Sequence, residues 1–196
     1  MVVMASIFPP VLPTVGTLSD SYGGLTCSMV VARQRYGSDR VIGCESFENA
    51  CQSVLGGEIG SFLVPAAYPM LGAFIMHPLL CAVESFVAPI VPLVVAVPKG
   101  SSRQHANTLF LHPATEPLLP DVILQYESYA FSLSNPAACQ DALSTASCAT
   151  LTNMPAATHF GMDVIQEVRQ AVNMPWVRFC APKSTAACGQ GNVADR

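Results

Sequence analysis

Apolar residues follow two rhythms along this chain. Phe47, Ala50, Cys51, Val54 and Leu55 recur at i, i+3, i+4, i+7 and i+8, one face of an amphipathic helix, with Ser46 as N-cap and Gly56-Gly57 closing it. Elsewhere the apolar runs are short and bounded by Gly, Pro, Ser and Asn, which is strand punctuation. Val11 to Val15 reads as a first strand, followed by the polar turn 16–21 and a helix carrying Leu25, Met29 and Val30 inward. Phe62-Leu63-Val64 is a strand that stops at Pro65 and delivers Ala66, Ala67 and Tyr68 to its end. A Pro-rich apolar passage leads to a central strand at Val94 to Val97, and Leu109 to Leu111 is the next strand, ending at His112-Pro113. A helix is expected from about Glu116, with Leu119, Val122, Ile123 and Tyr126 inward and Pro120 confined to its first turn or a kink. Tyr129 to Leu133 reads as a strand, and Asn135-Pro136 as the N-cap and N1 of an Ala-rich helix. Cys148 to Leu151 is a strand ending at Thr152-Asn153; Val164 to Val168 and Trp176 to Cys180 return the chain. Alternating strands and helices predict an α/β fold with parallel strands. Ligands of such sheets bind beyond the carboxyl ends of the strands, so Tyr68 is a site candidate.

Length and charge narrow the function classes. The 196 residues suit one domain or two small lobes. With 9 Lys and Arg against 13 Asp and Glu, net charge −4 and no basic block, nucleic acid is not an expected partner. A small dianion remains a ligand class only if the scattered cations gather locally. The eight cysteines show neither Cys-x-x-Cys nor zinc-ligand spacing with His. They read as free thiols of a reduced, cytoplasmic protein with no metal and no cofactor, Cys51 and Cys148 serving as small hydrophobes. The N-terminal stretch lacks a cationic segment and is broken by three prolines, so no signal peptide is read there. The apolar run 79–98 is interrupted by Glu84, Pro89, Pro92 and Pro98, which argues against a membrane span.

Motifs at the strand ends resemble a known family. Ser61-Phe62-Leu63-Val64-Pro65-Ala66-Ala67-Tyr68 is similar to the strand of prephenate dehydratases that ends in Val-Val-Pro followed by Glu-Asn-Ser. Ala67-Tyr68 and Phe74-Ile75-Met76-His77-Pro78 look closer to the prephenate decarboxylase branch of the bacilysin-pathway type, in which Ala-Tyr replaces Glu-Asn. Further matches run in order along nearly the whole chain. Gly16 to Ser21 stands for the family's Gly-Pro-x-Gly-Thr turn, with Asp20 at its threonine; Leu111-His112-Pro113 stands for Ser-His-Pro, with the serine lost. Ala149 to Asn153 resembles the Ala-Leu-Thr-Asn element of the decarboxylase branch. Trp176-Val177-Arg178-Phe179 holds Val177 where dehydratases carry the threonine of Thr-Arg-Phe.

The resemblance implies a two-lobed, periplasmic-binding-protein-like fold with a cleft between the lobes. It assigns residues 1–95 plus 166–188 to the first lobe and 96–165 to the second, with 189–196 as a disordered tail and no ACT regulatory domain. It also implies a homodimer. In the chemistry it implies, Arg178 grips a carboxylate of prephenate, Tyr68 and His112 contact the ring or its hydroxyl, and Ser21 and Thr115 are secondary donors. Asn153 lines the cleft or caps the next helix; Tyr68 has the alternative of packing at the rim. Val177 cannot donate the proton that expels the 4-hydroxyl, so decarboxylation without aromatisation is expected, in specialised amino-acid or antibiotic biosynthesis. Dehydration of prephenate or arogenate, and noncatalytic binding of a small anion, are the alternatives.

Overall fold

The computed structural model describes residues 14–22, 24–101, 106–123 and 126–182. Residues 11–13 of the expected first strand and the expected tail lie outside them. The chain runs through β1 (Val15–Leu18), α1 (Cys27–Tyr36), a 3-10 turn at Ser38–Arg40, β2 (Val41–Cys44), α2 (Phe47–Leu55), β3 (Ser61–Pro65) and α3 (Leu71–Ile75). It continues through β4 (Cys81–Ile90), β5 (Leu93–Val97), β6 (Thr108–Leu111), a 3-10 stretch at Pro113–Asp121 and β7 (Ser128–Phe131). The last elements are α4 (Asn135–Ser144), β8 (Cys148–Asn153), α5 (Met154–His159), β9 (Asp163–Arg169) and β10 (Val172–Cys180).

These strands build two five-stranded sheets, β2-β1-β3-β10-β4 and β7-β6-β8-β5-β9. Each is mixed: β1 is parallel to β2 and β3, and β6 to β7 and β8, whereas β10 and β5 run antiparallel to their neighbours. The chain passes between sheets at 91–92 and again at 170–171. This moves the expected boundaries. Residues 93–95 and 166–169 belong to the second sheet, where Leu93 pairs with both Asn153 and Arg169.

Both sheets are covered on both faces, and strand alternation divides the core accordingly. Phe62 and Val64 pack with α2, Phe74 and Phe179, while Leu63 faces Val31, Ala32 and Trp176 on the other side. In the second lobe Val94 and Ala96 meet Cys139, Ala142 and Ala156; Val95 and Val97 meet Leu109, Leu111 and Leu151. Full burial of each such side chain contributes about 1.5–3 kcal/mol.

Several local expectations are corrected. Gly16 to Leu18 is strand, not turn, because it pairs with Ile42 to Cys44 of β2, and Gly16 also with Phe62 of β3; a Cβ at Gly16 would lie 2.4 Å from Ile59 Cδ1. Val30 is only half-buried, and α1 turns Met29, Val31 and Ala32 inward. The helix expected from Glu116 is a 3-10 stretch, since Pro117 and Pro120 lack the N–H that an α-helix needs, and Ile123 is exposed. Ser134, rather than Asn135, caps α4 by accepting from Ala137 N at 3.1 Å.

Candidate functional site

A cleft of about 440 Å³ opens between the lobes and is lined from both. Three helices begin at it, because their capping residues Thr26, Ser46 and Ser134 all lie in its wall. Each cap accepts one backbone N–H of its own first turn, and the remaining first-turn N–H groups give those ends a positive partial charge. Leu18, Ile90, Leu93, Leu118, Val172, Met174 and Trp176 supply an apolar wall.

Tyr68 enters this cleft from the end of β3. Its ring packs 4.7 Å from Phe47 and stacks on Phe74, and its hydroxyl donates to Glu48. Burial first, then the hydrogen bond and charge of Glu48, push the phenol up to about 12, so Tyr68 stays protonated at neutral pH. Tyr68 packs on the first-lobe core and also lines the cleft.

His112 and Thr115 enter from the opposite lobe, past the end of β6. His112 Nδ1 accepts the Ala114 N–H at 3.2 Å, which leaves the proton of the neutral ring on Nε2. Burial lowers its pKa below 6.5 and keeps it neutral. Thr115 is buried, and both its N–H (2.8 Å) and its hydroxyl (2.7 Å) donate to the His112 carbonyl, which fixes the turn.

Four other expected site residues lie outside the lining. Arg178 donates to Glu84 Oε2 at 2.9 Å, and that carboxylate also takes Arg35 and the Tyr36 hydroxyl at 2.9 Å. Register explains the displacement: Trp176 lies opposite Pro65 at the strand end, whereas Arg178 lies opposite Leu63, about 7 Å farther into the sheet. Val177 packs against the core cluster that also carries Tyr68. Ser21 is exposed in the turn before α1, where Asp20 Oδ1 accepts the Tyr22 N–H at 2.9 Å. Asn153 is fully buried; it caps α5 by accepting from Ala156 N at 2.8 Å and donates to Leu25 O of the first lobe at 2.9 Å. The sequence reading did not name Cys27, Glu48 or Trp176 as lining residues, and for Asn135 it favoured helix capping over lining. The signal for three of them is their place at or next to a helix start; Trp176 has none, since its role depends on antiparallel register.

Among the described residues the charged side chains in the lining are Glu45 and Glu48, and no Lys or Arg lines the cleft. Cys27 stands at the first turn of α1, where Asn135 (3.6 Å) and Asn153 (3.8 Å) of the second lobe donate to its sulfur; burial raises the thiol's pKa.

No family profile matches the chain, and no curated protein does. Solved structures do. A prephenate dehydratase from Arthrobacter aurescens, solved with L-Phe, is 17% identical with a TM-score of 0.68, covering 93% of this chain and 62% of that one. GqqA, described as a novel type of quorum-quenching acylase, is 15% identical with a TM-score of 0.60, covering 86% of this chain and 63% of that one. The methionine-binding protein MetQ is 14% identical with a TM-score of 0.50, covering 89% and 85%. The chain thus spans less than two thirds of the length of the first two. Three different functions are attached to these structures, so what they share with this chain is architecture: it has the two-lobed, periplasmic-binding-protein-like α/β fold found also in prephenate dehydratases.

Proposed function

We propose that the protein is a lyase that takes a prephenate-type cyclohexadienyl acid into the interlobe cleft and removes its ring carboxylate without aromatising the ring. The observation that carries this reading is the acid–base state of the groups converging there. His112 is neutral and Tyr68 is a phenol with its pKa raised to about 12. Neither is an acid strong enough at neutral pH to protonate and expel a ring hydroxyl. Expulsion of hydroxide is the step that aromatisation requires, so this pair favours its retention.

The walls support the bond that does break. Leu118, Met174 and Trp176 surround the ring with apolar surface, and no described cation is placed to stabilise the carboxylate about to leave. A carboxylate stripped of water is destabilised more than the delocalised transition state that leads to CO2. The C–C bond breaks, its electron pair enters the ring diene, and one ring carbon takes up one proton from solvent water as CO2 departs. The carboxylate that remains is held by the helix starts at Thr26, Ser46 and Ser134, a role the ion-paired Arg178 does not fill.

Purified protein incubated with prephenate and followed by NMR tests this. Retained ring-olefin signals with loss of the ring carboxylate support it; phenylpyruvate above the no-enzyme rate contradicts it. A noncatalytic ligand-binding role is the second reading, favoured by the lack of a described Lys or Arg in the lining, and it predicts binding without any product.

A further inference from the structure

A pair of cysteines faces across the two strands from which the second lobe is built out. β4 and β10 pair antiparallel from Ile90 opposite Val172 to Cys81 opposite Cys180. All five strands of the second sheet lie in the chain between them. Register decides what meets Cys180. Along most of the pair Trp176 stands opposite Phe86 and Arg178 opposite Glu84, a spacing that would set Cys180 against Ala82. The register shifts between Arg178 and Phe179, passing over Val83, so Phe179 meets Ala82 and Cys180 meets Cys81. Directly opposed residues of an antiparallel pair share a face, with Cα atoms about 4.5–5.5 Å apart, inside the span of about 4.4–6.8 Å that a disulfide bridges. Both residues are thiols. Their access differs: Cys81 opens the edge strand β4 and is exposed, whereas Cys180 is fully buried. An accessible attacking sulfur beside a sheltered resolving one is the arrangement of redox-sensing cysteines.

We propose that Cys81 and Cys180 form a thiol–disulfide exchange site, at which a small-molecule disulfide such as oxidised glutathione staples β4 to β10. The site stands apart from the cleft, which Val172, Met174 and Trp176 line from the other end of β10. The Cys81 thiolate attacks the small disulfide, forming a mixed disulfide and releasing one small thiol. The Cys180 thiolate then attacks the Cys81 sulfur, forming the protein disulfide and releasing the second. The protein gives up two electrons and two protons, and the small disulfide takes them up as it becomes two thiols. The new bond closes a loop of about 100 residues, and cross-links over long loops remove the most freedom from the unfolded chain.

The test treats the intact protein with oxidised glutathione and then with dithiothreitol, followed by intact mass, peptide mapping and thermal melting. The expected result is loss of two hydrogens, a peptide pair joined through Cys81 and Cys180, and a melting temperature higher by about 5–15 °C, all reversed by the reductant. Cys81→Ser, at an exposed position, is expected to melt with the reduced wild type and to gain nothing from the oxidant. Cys180→Ala is expected to stop at the glutathione adduct on Cys81; should that buried substitution prevent folding, the Cys81→Ser comparison decides. In the wild type, a Cys81 that stays reduced, stops at the adduct or joins any other cysteine overturns the site. A Cys81–Cys180 link that leaves the melting temperature unchanged overturns the staple.

Discussion

At the scale of single residues, the outcome of the proposed reaction turns on two proton positions. Tyr68→Phe removes a phenol that bridges Glu48 and the cleft while keeping the ring stack on Phe47 and Phe74. A drop of about tenfold in kcat/KM is expected, with the melting temperature nearly unchanged. His112 carries the pH dependence. Its pKa in the folded chain lies below the ordinary 6.5, so the unfolded chain binds the extra proton. Its contribution to stability is therefore complete above about pH 6.5 and is lost as pH falls from there through the folded value. Thermal melts between about pH 8 and pH 5 are expected to show that loss in the native protein and a smaller one in His112→Gln. The same protonation creates an acid in the cleft. The share of aromatic product, corrected for the no-enzyme blank, is expected to rise as pH falls and to stay flat in His112→Gln.

At the scale of elements, the helix starts and strand ends make the site. Asn153 shows the coupling, because one side chain caps α5 and reaches across to Leu25. Asn153→Asp keeps the cap and loses the amide donor, whereas Asn153→Ala loses both. The alanine variant is expected to lose about 1–3 kcal/mol of stability in urea unfolding, and the aspartate at least as much, because it buries a carboxylate against the Leu25 carbonyl. Gly16→Ala drives a methyl toward Ile59 in a strand paired on both sides and is expected to destabilise by about 1–3 kcal/mol.

These elements were unequally legible in the sequence. The α2 period and its Ser46 cap, the stop of β3 at Pro65, and the stop of β6 before His112 are local patterns, and they put Tyr68 and His112 at strand ends; that these and Thr115 face one cleft was implied by the family resemblance alone. What failed depends on partners far along the chain. The ten-residue β4 pairs with β10 and was hidden by Pro89, which an edge strand tolerates. Arg178 looked free in the sequence, and only the arrival of Glu84 from β4 shows that it is paired.

At the scale of the molecule, two sheets joined at 91–92 and 170–171 place the site where neither lobe alone is complete. Contacts from Asn135 and Asn153 to Cys27, and from Asn153 to Leu25, tie the lobes at the α1 start. The cleft's charge follows from the same arrangement. The described arginines are spent on the sheet or surface, as Arg178 and Arg35 are on Glu84 and Arg169 is on Asp121, and helix ends supply the positive potential instead. The central claim is that this environment breaks a C–C bond and withholds acid from the ring hydroxyl. Its most direct test is the proton NMR spectrum of the product formed from prephenate at neutral pH. A nonaromatic hydroxycyclohexadiene-type ring accompanied by CO2 is the predicted result, and enzymatic formation of phenylpyruvate would contradict the account.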